Sequence, residues 1–155
     1  MTYHDLDLRL IEALQADGRR SLRQLAQDLH VSPSTVGNRF ADLLERGVIK
    51  GFKPILDYRK LGFGLVALTK IKARGEALPA IVEALGRASR VTHVYEITGD
   101  FDILVIGRFR DEMEMNREIK RMLSLPGIEG TNTSIVLSAA KEGADIDLRG
   151  ESEQG

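Results

Sequence analysis

The chain has 155 residues, of which 43% are hydrophobic and 29% charged, and its formal net charge is −1. This composition is typical of a soluble globular protein with one domain or two small ones. Cysteine is absent, which excludes disulfides and thiolate metal ligands. No apolar run reaches membrane-spanning length and the polar N-terminus is not a secretory signal, so we expect a cytoplasmic protein without a membrane partner.

The charges are unevenly distributed along the chain. Residues 1–60 contain ten Lys or Arg against eight Asp or Glu, whereas the segment from Lys141 onward contains two basic and five acidic residues. The front is therefore mildly basic, a weak electrostatic footprint for nucleic acid that dimerisation would double. The acidic tail is expected to be disordered.

Three short helices are predicted at the front of the chain. The first is capped by Asp5 and ends at Gly18. The second is capped by Ser21, whose partner Gln24 completes a capping box, and the third is capped by Ser32 and has a proline at its first position. So few residues separate the second and third helices that they must cross steeply, which is typical of a DNA-reading pair.

The third helix has an apolar side and a polar side. Its buried stripe is predicted to consist of Val36, Phe40, Leu43 and Leu44. The opposite side carries short donors and acceptors suited to base edges and phosphates. Gly47 is expected to end the helix in the left-handed conformation, and residues 48–52 to form the first strand of a wing. A capped helix pair is more often only packing, so DNA binding needs support from the rest of the chain.

Beyond a connector with Gly62 and Gly64 as hinge candidates, the hydrophobic pattern changes period. Strands are predicted at 64–73, 91–98, 102–109 and 128–139, and apolar helix faces at 78–85 and 115–123. The order βαββαβ gives an antiparallel sheet with both helices on one face, and hence an α+β fold. Both faces of the first strand are apolar, and an uncovered apolar face implies a partner, which we interpret as a second copy in a two-fold dimer.

A series of short motifs follows a fixed order along the chain. They are Leu6-Asp7, Ile11 to Gly18-Arg19, Leu25-Ala26, Ser32, Arg39, Gly47-Val48-Ile49, Leu61-Gly62, Val94-Tyr95, Thr98-Gly99-Asp100-Phe101-Asp102, Leu125-Pro126-Gly127 and Thr131-x-Thr133. Each is weak alone, but in this order and spacing they resemble the Lrp/AsnC family of transcription regulators, also called feast/famine proteins. The resemblance extends from about Leu6 to Lys141.

Together with the predicted elements, the resemblance implies two domains. A winged helix-turn-helix covers residues 1–53, a hinge 54–63, a ferredoxin-like effector-binding and assembly domain 64–140, and an acidic tail 141–155. The family binds double-stranded DNA and forms dimers through its C-terminal sheets, often octamers or larger assemblies. We therefore expect a homo-oligomeric, sequence-specific transcription regulator that needs no cofactor and responds to a small effector, commonly an amino acid, bound between dimers.

The third helix and the wing supply the expected DNA contacts, which are Ser32, Ser34, Thr35, Asn38, Arg39, Lys50 and Lys53. Arg39 matches an arginine that is nearly fixed in the family, and a structural salt bridge on the helix flank is an equally good interpretation of it. Two departures lower the expected affinity for DNA. Asp42 occupies a position where relatives often have Lys or Arg, and Gly37 costs the helix roughly 1 kcal/mol against Ala.

The expected effector site combines Gly99, Asp100, Asp102, Thr131, Thr133 and Ser134. From the residues alone, Gly-Asp between two strands is a hairpin turn of a kind that usually binds nothing, and the hydroxyls are an ordinary exposed strand face. The resemblance implies more, because the equivalent loop and last strand line an effector cleft in the family. A carboxylate of Asp100 or Asp102 would then hold an amino acid's ammonium, while the hydroxyls and the amides near Gly99 take its carboxylate.

Enzyme functions find little support. His4, His30 and His93 share no ligand spacing with acidic residues, which argues against a metal site, and there is no nucleotide-binding glycine loop or nucleophile elbow. Two alternatives to a specific regulator stay open. One is a non-specific architectural DNA-binding protein, and the other, less favoured, is a small-molecule-binding protein or enzyme that uses the βαββαβ domain.

Overall fold

The computed structural model describes residues 4–143 and 145–149, which form two compact units. The first unit contains the chain up to Ile55 and the segment from Lys141, and its helices are α1 Asp5–Ala16, α2 Leu22–Leu29 and α3 Pro33–Glu45. The second unit contains β1 Leu65–Ala73, a short three-ten turn Gly75–Ala77, α4 Leu78–Gly86, β2 Val91–Glu96, β3 Ile103–Phe109, α5 Glu112–Leu123 and β4 Ile128–Ile135. None of the helices in the described ranges is long and apolar enough to cross a membrane.

Local capping chemistry sets the helix boundaries. The Ser21 hydroxyl accepts a hydrogen bond from the Gln24 N–H at 3.2 Å, and the Gln24 side chain accepts one from the Ser21 N–H at 2.8 Å, which confirms the capping box. Gly47 has a φ of +68°, as predicted for the residue that ends α3. The predicted cap of α1 is wrong by one residue, because His4 occupies the cap and Asp5 begins the helix, where its charge favours the helix dipole.

A tight turn joins α2 to α3. Its first residue, His30, has a φ of +57° and a ψ of +43°, the left-handed conformation that usually favours glycine. This conformation lets the Val31 N–H donate to the Ala26 carbonyl at 3.0 Å, which closes the end of α2. The core beneath the turn contains residues from all three helices that are at most 1% exposed: Leu10, Leu25, Val36 and Leu43. This arrangement confirms the helix-turn-helix.

The wing strand predicted at residues 48–52 is wrong, because the described chain between α3 and β1 forms no strand. After Gly47 the chain wraps around the end of α3, where the N–H groups of Val48 and Ile49 both donate to the Leu43 carbonyl at 2.9 and 3.1 Å. A strand needs a neighbouring strand for its hydrogen bonds, and the described part of the first unit contains none. Leu44, which was predicted to be buried, is 41% exposed.

The acidic tail is described only in part. Residues 141–143 and 145–149 form no helix or strand, and the rest of the predicted tail lies outside the described residues. Arg149 contacts α1, with its Nε 2.7 Å from Oε1 of Glu12. Residue 149 therefore makes a defined contact with α1 within the first unit.

The second unit is a four-stranded antiparallel sheet in the order β2-β3-β1-β4. Its core joins Ile71 of β1 and Ile103 of β3 to Leu85 of α4 and Met122 of α5, so both helices cover one face, as predicted. The last strand ends at Ile135, earlier than predicted, because β1, its hydrogen-bonded neighbour, begins at Leu65. The observed topology confirms the βαββαβ order and the α+β fold.

The other face of the sheet carries an apolar strip. The strand register places Leu68 of β1 opposite Ile106 of β3, and Leu104 of β3 opposite Tyr95 of β2, all with side chains on the side away from the helices. Tyr95 is 48% exposed. Among the described residues no helix packs on this face, which agrees with the prediction of an uncovered apolar surface.

Candidate nucleic-acid interface and effector site

The N-terminus of α3 carries a cluster of exposed hydroxyls. The Ser32 Oγ accepts a hydrogen bond from the Thr35 N–H at 3.1 Å, and it lies 2.9 Å from the Ser34 Oγ and 2.8 Å from the Thr35 Oγ1. All three side chains are exposed. The first turn of a helix presents free backbone N–H groups and a partial positive charge, so this cluster lies where a phosphate oxygen binds most readily.

Asn38 extends the polar side of α3 by one turn. Helical spacing places it on the same side as Ser34, and it is exposed, whereas Val36 is 1% exposed and faces the core. An Asn amide has a donor and an acceptor side by side, which match the edge of adenine in the major groove. The structure therefore brings Ser32, Ser34, Thr35 and Asn38 together on one surface.

Arg39 lies at the flank of this surface and contacts α1. Its Nε is 3.4 Å from Oδ1 of Asp7, and 31% of its side chain is exposed. The Asp7 side chain is only 1% exposed. Arg39 thus makes the structural ion pair that was one of its two interpretations, and part of its side chain remains accessible.

The other charged residues considered for DNA binding lie outside the hydroxyl cluster. Lys50 and Lys53 are exposed, but they lie in the irregular segment after α3 and not on a wing strand. The carboxylate of Asp42 accepts a hydrogen bond of 2.8 Å from the guanidinium of Arg46, the residue that caps the end of α3. The negative charge that was expected to weaken DNA binding is therefore partly compensated by Arg46.

The two carboxylates of the loop between β2 and β3, Asp100 and Asp102, have different surroundings. Oδ2 of Asp102 accepts a hydrogen bond from the Ala73 N–H at 2.8 Å, and its Oδ1 lies 3.4 Å from the Lys72 ammonium. The Ala73 N–H is the main cause that lowers the pKa of Asp102 below its ordinary value, and Lys72 acts in the same direction. Asp100 is exposed in the adjoining turn, where Gly99 adopts a φ of +107°. Asp102 therefore already has structural partners.

The expected effector hydroxyls do not share one face of β4. Thr131 pairs with Ile71 and Thr133 with Thr69 on the helix side of the sheet, where the two Thr hydroxyls of the latter pair are 3.0 Å apart. Ser134 pairs with Leu68 on the opposite side, because successive strand residues alternate. The three hydroxyls therefore lie on two faces of the sheet, and their role in effector binding stays a prediction.

Asp7 is the residue that the sequence interpretation missed as part of the interface. It was noted only as a carrier of the family resemblance, although it precedes Leu10 by three residues and Leu14 by seven, a spacing that places it on the buried side of α1. An acidic residue on an apolar stripe is the signal that pointed to a buried partner. Among the described residues, no group of three or more His, Asp or Glu is placed to hold a metal ion.

Comparison with known proteins connects both units to one family. The Lrp/AsnC ligand binding domain matches residues 66–146, and the AsnC-type helix-turn-helix domain matches residues 5–44. An uncharacterised HTH-type transcriptional regulator of Pyrococcus horikoshii is 42% identical over 88% of this chain and 93% of its own. A transcriptional regulator from Neisseria meningitidis, solved as a complex with L-Met, has a TM-score of 0.89 at 22% identity over 96% of this chain and 98% of that one. AsnC of Escherichia coli has a TM-score of 0.87 at 24% identity over 94% and 99%.

Proposed function

The chain belongs to the Lrp/AsnC family of transcription regulators, and we propose that it recognises specific duplex DNA sequences with α3 and changes its DNA binding in response to a small effector. The observation that carries this proposal is the surface formed by Ser32, Ser34, Thr35 and Asn38. Hydroxyls and amides at the positive end of a helix suit phosphates, and the Asn38 amide suits a base edge. Arg39, Lys50 and Lys53 would add contacts to the DNA backbone.

Dimerisation through the second unit is part of the proposal. The apolar strip on the outer sheet face supports it, because a second copy of this chain would bury that surface across a two-fold axis. Two recognition helices would then read half-sites about 34 Å apart, one turn of the duplex. Association of dimers into an octamer or larger assembly would add further half-sites, which compensates for the modest positive charge of each chain.

An amino acid is the effector class that we propose. Support comes from the L-Met complex of the Neisseria meningitidis regulator, which shares the fold. Because Asp102 is already hydrogen bonded, the exposed Asp100 is the better candidate to hold an ammonium group, with the amides near Gly99 beside it. Thr131 and Thr133 would contribute from the helix side, and Ser134 only through the face that we assign to the second copy.

The mechanism we propose is a shift between assembly states. An effector that binds better to one spacing of the subunits favours that spacing, and it thereby changes which half-sites the recognition helices reach together. The effector needs no contact with DNA for this, because coupling between the two sites requires only that each ligand prefers one arrangement.

A binding assay at one fixed salt concentration tests the function. The protein is used to select its preferred duplex from a random pool, and its affinity for that duplex is compared with its affinity for a scrambled one. A specific regulator selects a sequence and binds it much more tightly, whereas equal affinities would indicate an architectural protein. A thermal-shift screen against the amino acids tests the effector, because a ligand that binds the native state raises its apparent stability. Turnover of a ligand by the pure protein would instead support an enzyme.

A further inference from the structure

Asp7 is a charged residue in an apolar core. Its side chain is 1% exposed, and it lies on the same side of α1 as Leu10, which is 0% exposed. Its Oδ1 accepts no hydrogen bond from any described protein group, although the Arg39 Nε lies 3.4 Å away. A buried carboxylate is costly unless a positive charge compensates it, so Asp7 depends on Arg39. This dependence ties α1 to the recognition helix.

Arg39 has hydrogen-bonding capacity beyond this ion pair. A guanidinium carries five N–H donors in one rigid plane, and the recorded ion-pair distance from Arg39 to Asp7 is that of its Nε, at 3.4 Å. Because the Asp7 carboxylate is buried and 31% of the Arg39 side chain is exposed, we assign the exposed part to the Nη groups. Arg39 follows Thr35 by one helical turn, so these groups lie beside the hydroxyl cluster of α3.

We propose that Asp7 is a positioning residue for DNA binding, which holds the Arg39 Nε so that the two Nη groups face a backbone phosphate beside the α3 surface. The plane of the guanidinium makes this possible, because fixing the direction of Nε also fixes the directions of the other donors. The salt bridge and the phosphate contact are then two functions of one side chain. This inference rests on the proposed DNA-binding function.

The test measures affinity for a mixed-sequence duplex as a function of KCl concentration, because a phosphate contact does not depend on sequence. The variants are Asp7→Asn, Arg39→Gln and the double variant. Arg9→Gln is the matched control, since Arg9 on α1 forms an exposed ion pair with Asp5 at 3.8 Å. Circular dichroism and urea unfolding establish that each variant is folded at the assay temperature. The affinity of the wild type for the duplex is measured first, at low salt, to establish that the protein binds DNA.

The direction in which Asp7→Asn changes DNA affinity distinguishes positioning from simple electrostatics. Removing a negative charge near DNA should tighten binding by simple electrostatics, whereas loss of positioning should weaken it at least about twofold, the lower end of couplings between residues in contact. Arg39→Gln should lower the slope of log Kd against log salt concentration by about 1, more than Arg9→Gln does. The double variant should bind no more weakly than Arg39→Gln, because both changes remove the same contact.

Several results would overturn the inference. The inference is overturned if Asp7→Asn binds the duplex as tightly as the wild type or more tightly. It is also overturned if Arg39→Gln has the same salt slope as Arg9→Gln, or if the two losses add in the double variant. If Asp7→Asn does not fold, Arg39→Lys tests the inference instead. A lysine ammonium lacks the rigid plane by which a guanidinium contacts Asp7 and a phosphate in fixed directions, so this variant should bind DNA more weakly. Wild-type affinity in Arg39→Lys would contradict the inference. A wild type that binds no duplex at low salt would instead refute the proposed function, and this one with it.

Discussion

The backbone N–H of Ala73 donates a hydrogen bond of 2.8 Å to the carboxylate of Asp102. This bond joins the end of β1 to the loop between β2 and β3, and the Asp102 N–H donates in return to the Ile71 carbonyl at 2.9 Å. Two hydrogen bonds therefore hold the loop that we assign to the effector against the central strand. The charge on Asp102 stabilises the fold of this loop before any ligand binds.

Asp102 should contribute to stability in a pH-dependent way. Its pKa in the folded chain lies below the ordinary value of 3.8, so its stabilisation is fully present above about pH 4 and is lost as the pH falls through the folded value. Asp102→Asn should lower the urea midpoint at pH 7 and lose less stability than the wild type between pH 4 and pH 2. Asp100→Asn in the same loop is the control, and an equal flattening of its pH profile would contradict the assignment.

Gly127 should tolerate no side chain. Its φ is +91°, and a Cβ there would lie 2.2 Å from the Cβ of Ala77, so Gly127→Ala must shift the turn before α4 or the start of β4. We expect a loss of at least about 2 kcal/mol in the free energy of unfolding. Gly130→Ala is the matched control, because a Cβ there would meet no atom of the described residues within 4 Å. Similar urea midpoints for the two variants would show that the close approach does not restrict residue 127.

His30 should be replaceable with a gain in stability. Its φ of +57° is unfavourable for a residue with a Cβ, whereas glycine adopts it readily. His30→Gly is expected to raise the free energy of unfolding by roughly 0.5–1 kcal/mol, because relief of the left-handed backbone, about 1–2 kcal/mol, exceeds the extra conformational entropy that glycine loses on folding. The β-branched change His30→Val should lower it by about 1–2 kcal/mol. Thermal or urea unfolding of both variants checks the opposite signs, and losses of equal size would mean that the His30 side chain, not its backbone, matters.

Replacing Gly37 with Ala should also increase the stability of the chain. It lies inside α3, and a Cβ there would meet the Leu22 Cδ1 at 3.7 Å, an ordinary van der Waals contact. Gly37→Ala is therefore expected to stabilise the chain by roughly 1 kcal/mol through helix propensity. Gly86→Ala, at the last residue of α4, is the comparison and should gain less, because a helix end benefits less than a helix interior. A lower urea midpoint for Gly37→Ala would show that the contact with Leu22 is strained.

The fold was largely predictable from local signals. Ser21 with Gln24, the cap at Ser32 and the glycine at residue 47 each satisfy free helix-end groups by chemistry confined to a few neighbouring residues, and all three predictions were confirmed. The change in apolar periodicity likewise predicted the βαββαβ order of elements along the chain. Such signals need no knowledge of distant contacts.

The features that the sequence did not predict depend on partners distant in sequence. The wing strand at residues 48–52 had strand-like residues but no neighbouring strand to pair with in the described chain. The sequence likewise did not show that the Ala73 N–H would reach the Asp102 carboxylate, and the effector role of Asp102 stays a prediction. Asp7 and Arg39 are 32 positions apart in sequence, so the acidic residue on the apolar stripe of α1 did not identify its partner. These placements follow from tertiary packing alone.

The most direct test of the account is the effect of Thr35→Ala combined with Asn38→Ala on DNA binding. Affinity is measured at one salt concentration for the duplex selected by the wild type and for its scrambled counterpart, with Gln15→Ala combined with Gln27→Ala as a control on exposed residues of α1 and α2. The account predicts that the α3 variant loses more affinity for the selected duplex than for the scrambled one, because the Asn38 amide contacts a base edge whereas a phosphate contact of Thr35 does not depend on sequence. Equal losses on both duplexes, or an undiminished preference, would contradict sequence reading by α3.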